Sequence, residues 1–298
     1  MQSTLFNVPV VRTSKPVPMC KAKTLLIIDA ANLAAKAYAM FGGALSDDGT
    51  PSGHIFGALK MIQSAFRNHK SGPTAVIVCF EGWAADRRLL LPQYKMHRGT
   101  PEVNIRNEQF AAMLTLPIQA ALAPHGEADD AIFEIVQSMQ PNQRAVVLSS
   151  DRDLWQLIND RHPRVKIALS GNKGDYAGAE TCLRKYGIAP NQIPLYKGLY
   201  GDDSDGIPKV PRMPKKAAKE HGLCGATDVQ GWLAAESEAK AVERGQKLTA
   251  EWVEQAEIAQ QVATLARQPE MLLYQGGDKD DFQAMCERYS IKTLEDWF

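Results

Sequence analysis

Thr24-Leu25-Leu26-Ile27-Ile28-Asp29, followed at once by Ala30-Ala31-Asn32-Leu33-Ala34-Ala35-Lys36-Ala37, is the stretch on which the fold turns. A short run of apolar and β-branched residues ends in a carboxylate and gives way to an alanine-rich helical pattern over residues 32–40. That is the pattern of a buried strand feeding a helix. The same grammar recurs: Thr74-Ala-Val-Ile-Val-Cys-Phe80 follows a helical stretch over 55–68, and Arg144-Ala-Val-Val-Leu-Ser149 follows one over 129–139. A weaker strand over 165–169 comes after a short helix at 154–158. Apolar strands alternating with helices imply an α/β fold, a mostly parallel central sheet covered by helices. After about residue 178 no strand pattern of that strength occurs. A helix at 179–186, a Gly-, Asp- and Pro-rich passage at 198–214 and alanine- and glutamate-rich helices over about 227–267 follow. The expected organisation is a flexible tail at 1–22, an α/β domain at 23–178 and a helical domain at 179–298.

Composition narrows the class. Across 298 residues, 45% apolar and 23% charged residues match an ordinary globular protein and exclude collagen-like or wholly disordered chains. Lys+Arg 34 balances Asp+Glu 34, so any nucleic-acid affinity must come from a local basic face. The cysteines, Cys20, Cys79, Cys182, Cys224 and Cys286, are odd in number and lack CxxC spacing, which fits idle thiols in a reducing cytoplasm. The apolar stretch 25–45 is interrupted by Asp29 and Lys36 and falls short of a membrane span. No apolar signal core precedes it. The expected location is cytoplasmic, with no membrane partner.

The acids sit where open parallel sheets gather ligands, beyond the carboxyl ends of the strands. Asp29 ends the first strand, Glu81 follows the second, and Asp151 and Asp153 follow the third. Glu127, Asp129 and Asp130 open the helix leading into that third strand, and Gly201-Asp202-Asp203-Ser204-Asp205 supplies a further acidic loop. Taken singly, each group reads as a helix cap or a turn. Taken together, three strand ends aim like charges at one rim, which is costly unless cations neutralise them. Oxygen-only clusters suit hard cations such as Mg2+ or Mn2+ rather than zinc. Two such ions form the usual clamp for phosphodiester hydrolysis.

With these residues lined up, the sequence resembles the 5′-3′ exonuclease and flap endonuclease family, which includes bacteriophage 5′-exonucleases and the 5′ nuclease domain of bacterial DNA polymerase I. Leu26-Ile-Ile-Asp29 resembles its first acidic strand, and Gly49-Thr-Pro-Ser-Gly53 before Ile55-Phe56-Gly57 its glycine-bearing lead into the second helix. Phe80-Glu81 stands at a Phe-Asp position, and Tyr94-Lys95-Met96-His97-Arg98 resembles the Tyr-Lys-x-x-Arg of the arch. Gly126-Glu-Ala-Asp-Asp130 matches the Glu-Ala-Asp-Asp signature. Ser150-Asp-Arg-Asp153-Leu-Trp-Gln-Leu157 resembles the Asp-x-Asp strand end, and Gly201-Asp-Asp-Ser-Asp205-Gly-Ile-Pro208 resembles Gly-Asp-x-Ser-Asp-Asn-Ile-Pro.

The resemblance covers about residues 24–298 and implies a PIN-like 5′ nuclease fold with a C-terminal helix-three-turn-helix DNA-binding region. It implies a first metal site served by Asp29, Glu81, Glu127, Asp129 and Asp130, directly or through water, and a second served by Asp151, Asp153, Asp202 and Asp205. The implied cofactors are two Mg2+ ions, with Mn2+ as a substitute, and K+ at the helix-three-turn-helix. Three departures stand out. Glu81 reaches one methylene further than aspartate, and Gly206 replaces an asparagine. Arg212-Met213-Pro214 replaces the glycine-rich turn at which the potassium ion is expected, leaving fewer backbone donors for duplex phosphates.

Two segments are one-sidedly basic. Residues 83–106 carry Arg87, Arg88, Lys95, Arg98 and Arg106 against Asp86 and Glu102, and residues 207–221 carry Lys209, Arg212, Lys215, Lys216 and Lys219 against Glu220. Alone, each reads as solvated surface. Beside an acidic metal site they suit a phosphate backbone. Lys95 and Arg98 are expected to stabilise charge on the transferring phosphate. Arg87, Arg88, Tyr94, Lys209, Arg212, Lys215, Lys216 and Lys219 are expected to contact DNA without reading bases. Tyr38, Phe41, Trp83 and Tyr94 offer rings to an unpaired base, although Tyr38 and Phe41 suit a helix core equally well.

The resulting expectation is a monomeric, structure-specific 5′ nuclease of a bacterial cell or phage-infected host, acting on DNA with a 5′ end or a 5′ flap on a duplex. It leaves 5′-phosphate products. A relative that removes RNA from RNA-DNA hybrids would use the same carboxylates. A catalytically inactive DNA binder would gain nothing from crowding negative charge where a phosphate must approach. A metal-dependent phosphatase is the weakest alternative, because the first strand carries no Asp-x-Asp.

Overall fold

The computed structural model describes residues 10–13, 22–70, 74–82, 84–96, 103–159, 164–169, 174–211, 222–239, 249–268 and 270–294. Strand β2 (Thr24–Asp29) is buried at every residue, which requires cover on both faces. Leu25 and Ile27 join one core, Leu26 and Ile28 the other. Each such side chain contributes about 1.5–3 kcal/mol by leaving water.

Helices α1 (Ala30–Phe41) and α2 (Gly53–His69) lead to β3 (Thr74–Phe80), which pairs in parallel with β2. The two helices approach closely: a Cβ on Gly57 would lie 2.4 Å from the Phe41 ring, and one on Gly53 would lie 1.8 Å from the Phe41 carbonyl oxygen. Gly53 and Gly57 are therefore there for packing, whereas Gly49 serves a left-handed turn at φ 86°. Helices α3 (Ala85–Leu90) and α4 (Val103–Leu114) precede β4 (Gln119–Leu122), and α5 (Ala128–Gln137) crosses to β5 (Arg144–Leu148) on the other side of β2. A 3-10 turn, Asp153–Leu157, precedes β6 (Val165–Ala168) and the short β7 (Tyr176–Ala177).

Helices α6 (Ala179–Tyr186), α7 (Ile193–Tyr200), α8 (Val229–Ala239) and α9 (Ala250–Ala263) follow, then β8 (Met271–Gln275) and α10 (Lys279–Arg288). The sheet runs β1-β8-β4-β3-β2-β5-β6-β7, where β1 is Val10–Thr13. Strands β4, β3, β2, β5 and β6 are parallel, while β8 is antiparallel to both β4 and β1, and β7 is antiparallel to β6. Residues of α1, α2, α4 and α10 cover one face, and residues of α5, α7 and α9 the other.

The parallel core agrees with expectation, and four strands add to it. Strand β1 falls within the expected tail. Strand β8 falls in the expected helical region and brings the chain back into the sheet, so the sheet layer crosses the boundary placed near 178. The helical stretch expected over 227–267 is α8 and α9, with 240–248 outside the described residues. The direction of winding reverses between β2 and β5, and ligands bind outside the carboxyl ends at such a switch point.

Candidate metal centre

Asp29 and Asp151 stand at that switch point. Asp29 caps α1, its Oδ1 accepting the Asn32 N–H at 3.0 Å, while its Oδ2 accepts the Ser149 hydroxyl at 2.8 Å. Burial, with the charges of Asp151 and Glu81, pushes its carboxyl up to about 6 against those two hydrogen bonds. Ser149 Oγ also accepts the Asp151 N–H at 3.0 Å, and Asp151 Oδ1 accepts the Asp153 N–H at 2.9 Å. Strand ends and turn are thus locked together by their own side chains.

Asp129, on the first turn of α5, completes the group. One carboxylate oxygen from each of Asp129, Asp151 and Asp153 lies within 4.8 Å of the others. Burial, then Asp151 and Asp29, pushes Asp129 well above the usual carboxylate range. Asp153 is pushed up to about 7, by burial first, although Lys197 pulls the other way. Crowded, desolvated oxygen donors that hold protons this tightly fit a divalent cation, which would take the protons' place. The triad joins the two expected ligand sets, with Asp129 from the first and Asp151 and Asp153 from the second. The charge of Glu81 is felt at Asp29.

Two carboxylates expected in the first set have other partners. Asp130 is buried, takes two hydrogen bonds from the Arg87 guanidinium, at 2.5 and 2.7 Å, and also accepts the N–H of Glu127 and of Ala266. It is a cap and an ion-pair partner, so its expected metal role finds no geometric support. Glu127 accepts from Lys95 Nζ at 2.6 Å, from Tyr94 Oη at 2.8 Å and from Arg87 at 3.2 Å. Burial would raise its carboxyl, but Lys95 and Arg87 outweigh it and hold the group below its ordinary range. Lys95 lies at φ 55°, a left-handed backbone that costs about 1 kcal/mol or more. Its N–H donates to the Asp205 carbonyl at 2.8 Å and its Nζ lies 3.9 Å from Asp205 Oδ1.

Arg87 and Tyr94, expected at the DNA surface, are instead buried, and this corrects that expectation. The Arg87 Nε also donates to the Val262 carbonyl at 2.8 Å, tying α3 to α9. Arg88 is half-buried, and Lys209 is exposed. Tyr38 is 47% exposed, whereas Phe41 packs edge-on against Phe56. Trp83, Arg98, Arg212, Lys215, Lys216 and Lys219, with the potassium site expected at 212–214, lie outside the described residues.

Sequence reading missed Lys197. On α7, its Nζ lies 2.6 Å from Asp153 Oδ2 and 2.8 Å from carboxylate oxygens of both Asp202 and Asp205. The ammonium therefore sits amid three of the four carboxylates expected at the second site. Burial would lower its proton affinity, but the three aspartates raise it well above the ordinary range. Asp202, despite partial burial, is held down to about 2 by Lys197 and Ser204. The signal was present: one lysine in the otherwise apolar Ile193-Pro-Leu-Tyr-Lys-Gly-Leu-Tyr200 needs a buried partner.

Among the described residues no helix is long and apolar enough to cross a membrane. The chain is 28% identical over 203 residues to a 5′-3′ exonuclease of Buchnera aphidicola from Acyrthosiphon pisum, covering 66% of this chain and 69% of that protein. It is 27% identical over 288 residues to DNA polymerase I of Bacillus subtilis, covering 93% of this chain and 32% of that one. Similar folds include T5 5′-exonuclease with bound divalent zinc ions, at TM-score 0.52 and 17% identity over 80% of this chain and 86% of that one. The catalytic core of Rad2 in complex with DNA substrate matches at TM-score 0.53 and 13% identity over 97% and 93%. The family described as "5'-3' exonuclease, N-terminal resolvase-like domain" matches residues 24–187. That match takes in β2 through α6 and every carboxylate of the rim except Asp202 and Asp205, and the chain belongs to the 5′-3′ exonuclease family.

Proposed function

We propose that the protein is a structure-specific 5′ nuclease that hydrolyses DNA at a 5′ end or 5′ flap on a duplex, acting as a monomer and leaving 5′-phosphate products. The observation that carries this reading is the convergence of Asp129, Asp151 and Asp153 beside Asp29 at the sheet's switch point. Asp29, Glu81, Asp129, Asp151 and Asp153 are the residues to hold the first ion. Asp202 and Asp205, with Asp153, are those to hold the second once Lys197 yields to it. Mg2+ is the proposed ion and Mn2+ its substitute, as oxygen-only donors favour. When bound, the two ions supply activation of the attacking water and stabilisation of the departing oxygen.

The chain's own residues position and neutralise. Ser149 and Asn32 fix the orientation of Asp29, and the Asp153 amide fixes Asp151. Lys95, shared by Glu127 and Asp205, keeps a cation at the edge of the rim, where charge on the transferring phosphate develops. A DNA partner is supported by the relatives, among them Rad2 solved with a DNA substrate.

The test is a duplex with a 5′ single-stranded flap, labelled in turn at its 5′ and 3′ ends and incubated with Mg2+ or with chelator, beside an Asp151→Asn control. Mg2+-dependent cutting near the junction or stepwise loss from the 5′ end, absent in the control, is expected. Binding without cutting in Mg2+ and in Mn2+ overturns the nuclease reading. Cutting of an RNA strand on DNA in preference to DNA overturns the proposed substrate.

A further inference from the structure

A cavity of about 510 Å³ lies outside the carboxyl ends of β5 and β6, lined by Ser150, Arg152, Trp155, Leu169, Thr181, Arg184 and Lys185. Its chemistry is opposite to that of the rim. No carboxylate lines it, and among the described residues none pairs with Arg152, Arg184 or Lys185. Arg152 donates to the Tyr186 hydroxyl at 3.2 Å, and Lys185 lies 5.9 Å from the same ring, so both cations are held on one aromatic support without being neutralised. Thr181 Oγ1 accepts the Gly178 N–H, which leaves its own proton to donate. Burial and the charge of Arg152 lower the proton affinity of Lys185, as crowded cations do.

The polar groups brought together are thus mainly donors, three of them charged, and the complementary ligand is an anion rich in acceptor oxygens. Asp151 lies between Ser150 and Arg152, so the cavity begins one residue from the metal-site carboxylates. A strand whose scissile phosphate is held at those carboxylates would have this basic recess beside it. We propose that this cavity is a phosphate subsite that takes a backbone phosphodiester of the nucleic-acid strand, adjacent to the one that is cut. The assignment rests on the nuclease reading above.

The test uses Arg184→Ala/Lys185→Ala, whose side chains are both exposed on α6, with thermal unfolding as a check that the fold is kept. Kd for the flap duplex is measured in chelator across a salt series, and KM and kcat in Mg2+. Substrates carry a single uncharged methylphosphonate linkage walked along the cut strand. The double variant should bind about tenfold more weakly, with KM raised more than kcat is lowered. The slope of log Kd against log salt should become shallower by about 1 or more. One methylphosphonate position should weaken the wild type and not the variant. An unchanged Kd, salt slope and linkage sensitivity overturns the subsite. If the variant loses sensitivity only to removal of the 5′-terminal phosphate, the cavity serves the strand end and the backbone assignment is overturned. Wild-type protein that never cuts DNA refutes the nuclease reading alone, because the chelator measurements still decide the subsite.

Discussion

Burial of Asp153 makes a measurable demand on the stability of the metal-free protein. Its carboxyl is raised from the ordinary 3.8 to about 7, chiefly by burial. A group held higher in the folded than in the unfolded state contributes stability that is fully present below 3.8 and lost as pH rises through about 7. At about pH 8 that contribution is nearly gone, and at about pH 5 it has regained about 2.7 kcal/mol, at 1.36 kcal/mol per pH unit. For a chain of this size about 2 °C accompanies each kcal/mol, or about 5 °C in all. The assay is thermal unfolding in chelator at the two pH values, with wild type beside Asp153→Asn, which keeps the shape and removes the titration. Asp29 and Asp129 titrate in both proteins and largely cancel in the comparison. Wild type should favour the acid condition by about 5 °C more than the variant does, and a saturating divalent ion should abolish or reverse the difference, because it binds the ionised carboxylate. If the two proteins share one pH dependence, Lys197 already neutralises Asp153 fully, and the argument that its raised proton affinity marks a cation site fails.

Arg87→Met should destabilise the fold by about 3–5 kcal/mol in urea titration, since it leaves Asp130 buried without its cation; adding Asp130→Leu should recover part of that loss. Asp151→Asn should lower Mg2+-dependent cleavage by about 100-fold or more, while Kd for DNA in chelator stays level or improves with the loss of a negative charge. Gly57→Ala should cost about 1–3 kcal/mol by thermal unfolding, because the Phe41 ring must move to admit the methyl group.

The parallel core of the sheet was legible because β2, β3 and β5 are apolar between their end residues, with no polar face to blur the pattern. Strands β4, Gln-Ala-Ala-Leu, and β8, Met-Leu-Leu-Tyr-Gln, were not, because alanine and leucine carry little strand preference and it is pairing with each other, with β3 and with β1 that makes them strands. At the site, the strand-end acids announced themselves by position. Their division of labour did not: whether Asp130 meets a metal or Arg87 depends on α3 packing against α9, a contact between distant segments. Lys197 went unread because a cation on an apolar helix gains meaning only when Asp153, Asp202 and Asp205 are brought around it.

The antiparallel pairing of β8 with both β4 and β1 has a consequence for synthesis at the ribosome. Until β8 emerges, β4 is an open edge of a largely complete parallel sheet, a template for pairing with another nascent chain. Strand β1, made before all the others, has no partner until β8 arrives and must wait through nearly the whole of translation. Closing such long loops is slow, and partly folded chains that expose strand edges are prone to aggregate. A chain stopped before Met271 would keep its acidic rim yet lack the strand that seals the sheet, so yield in the cell should track completion of the C-terminal segment more closely than the integrity of the site itself.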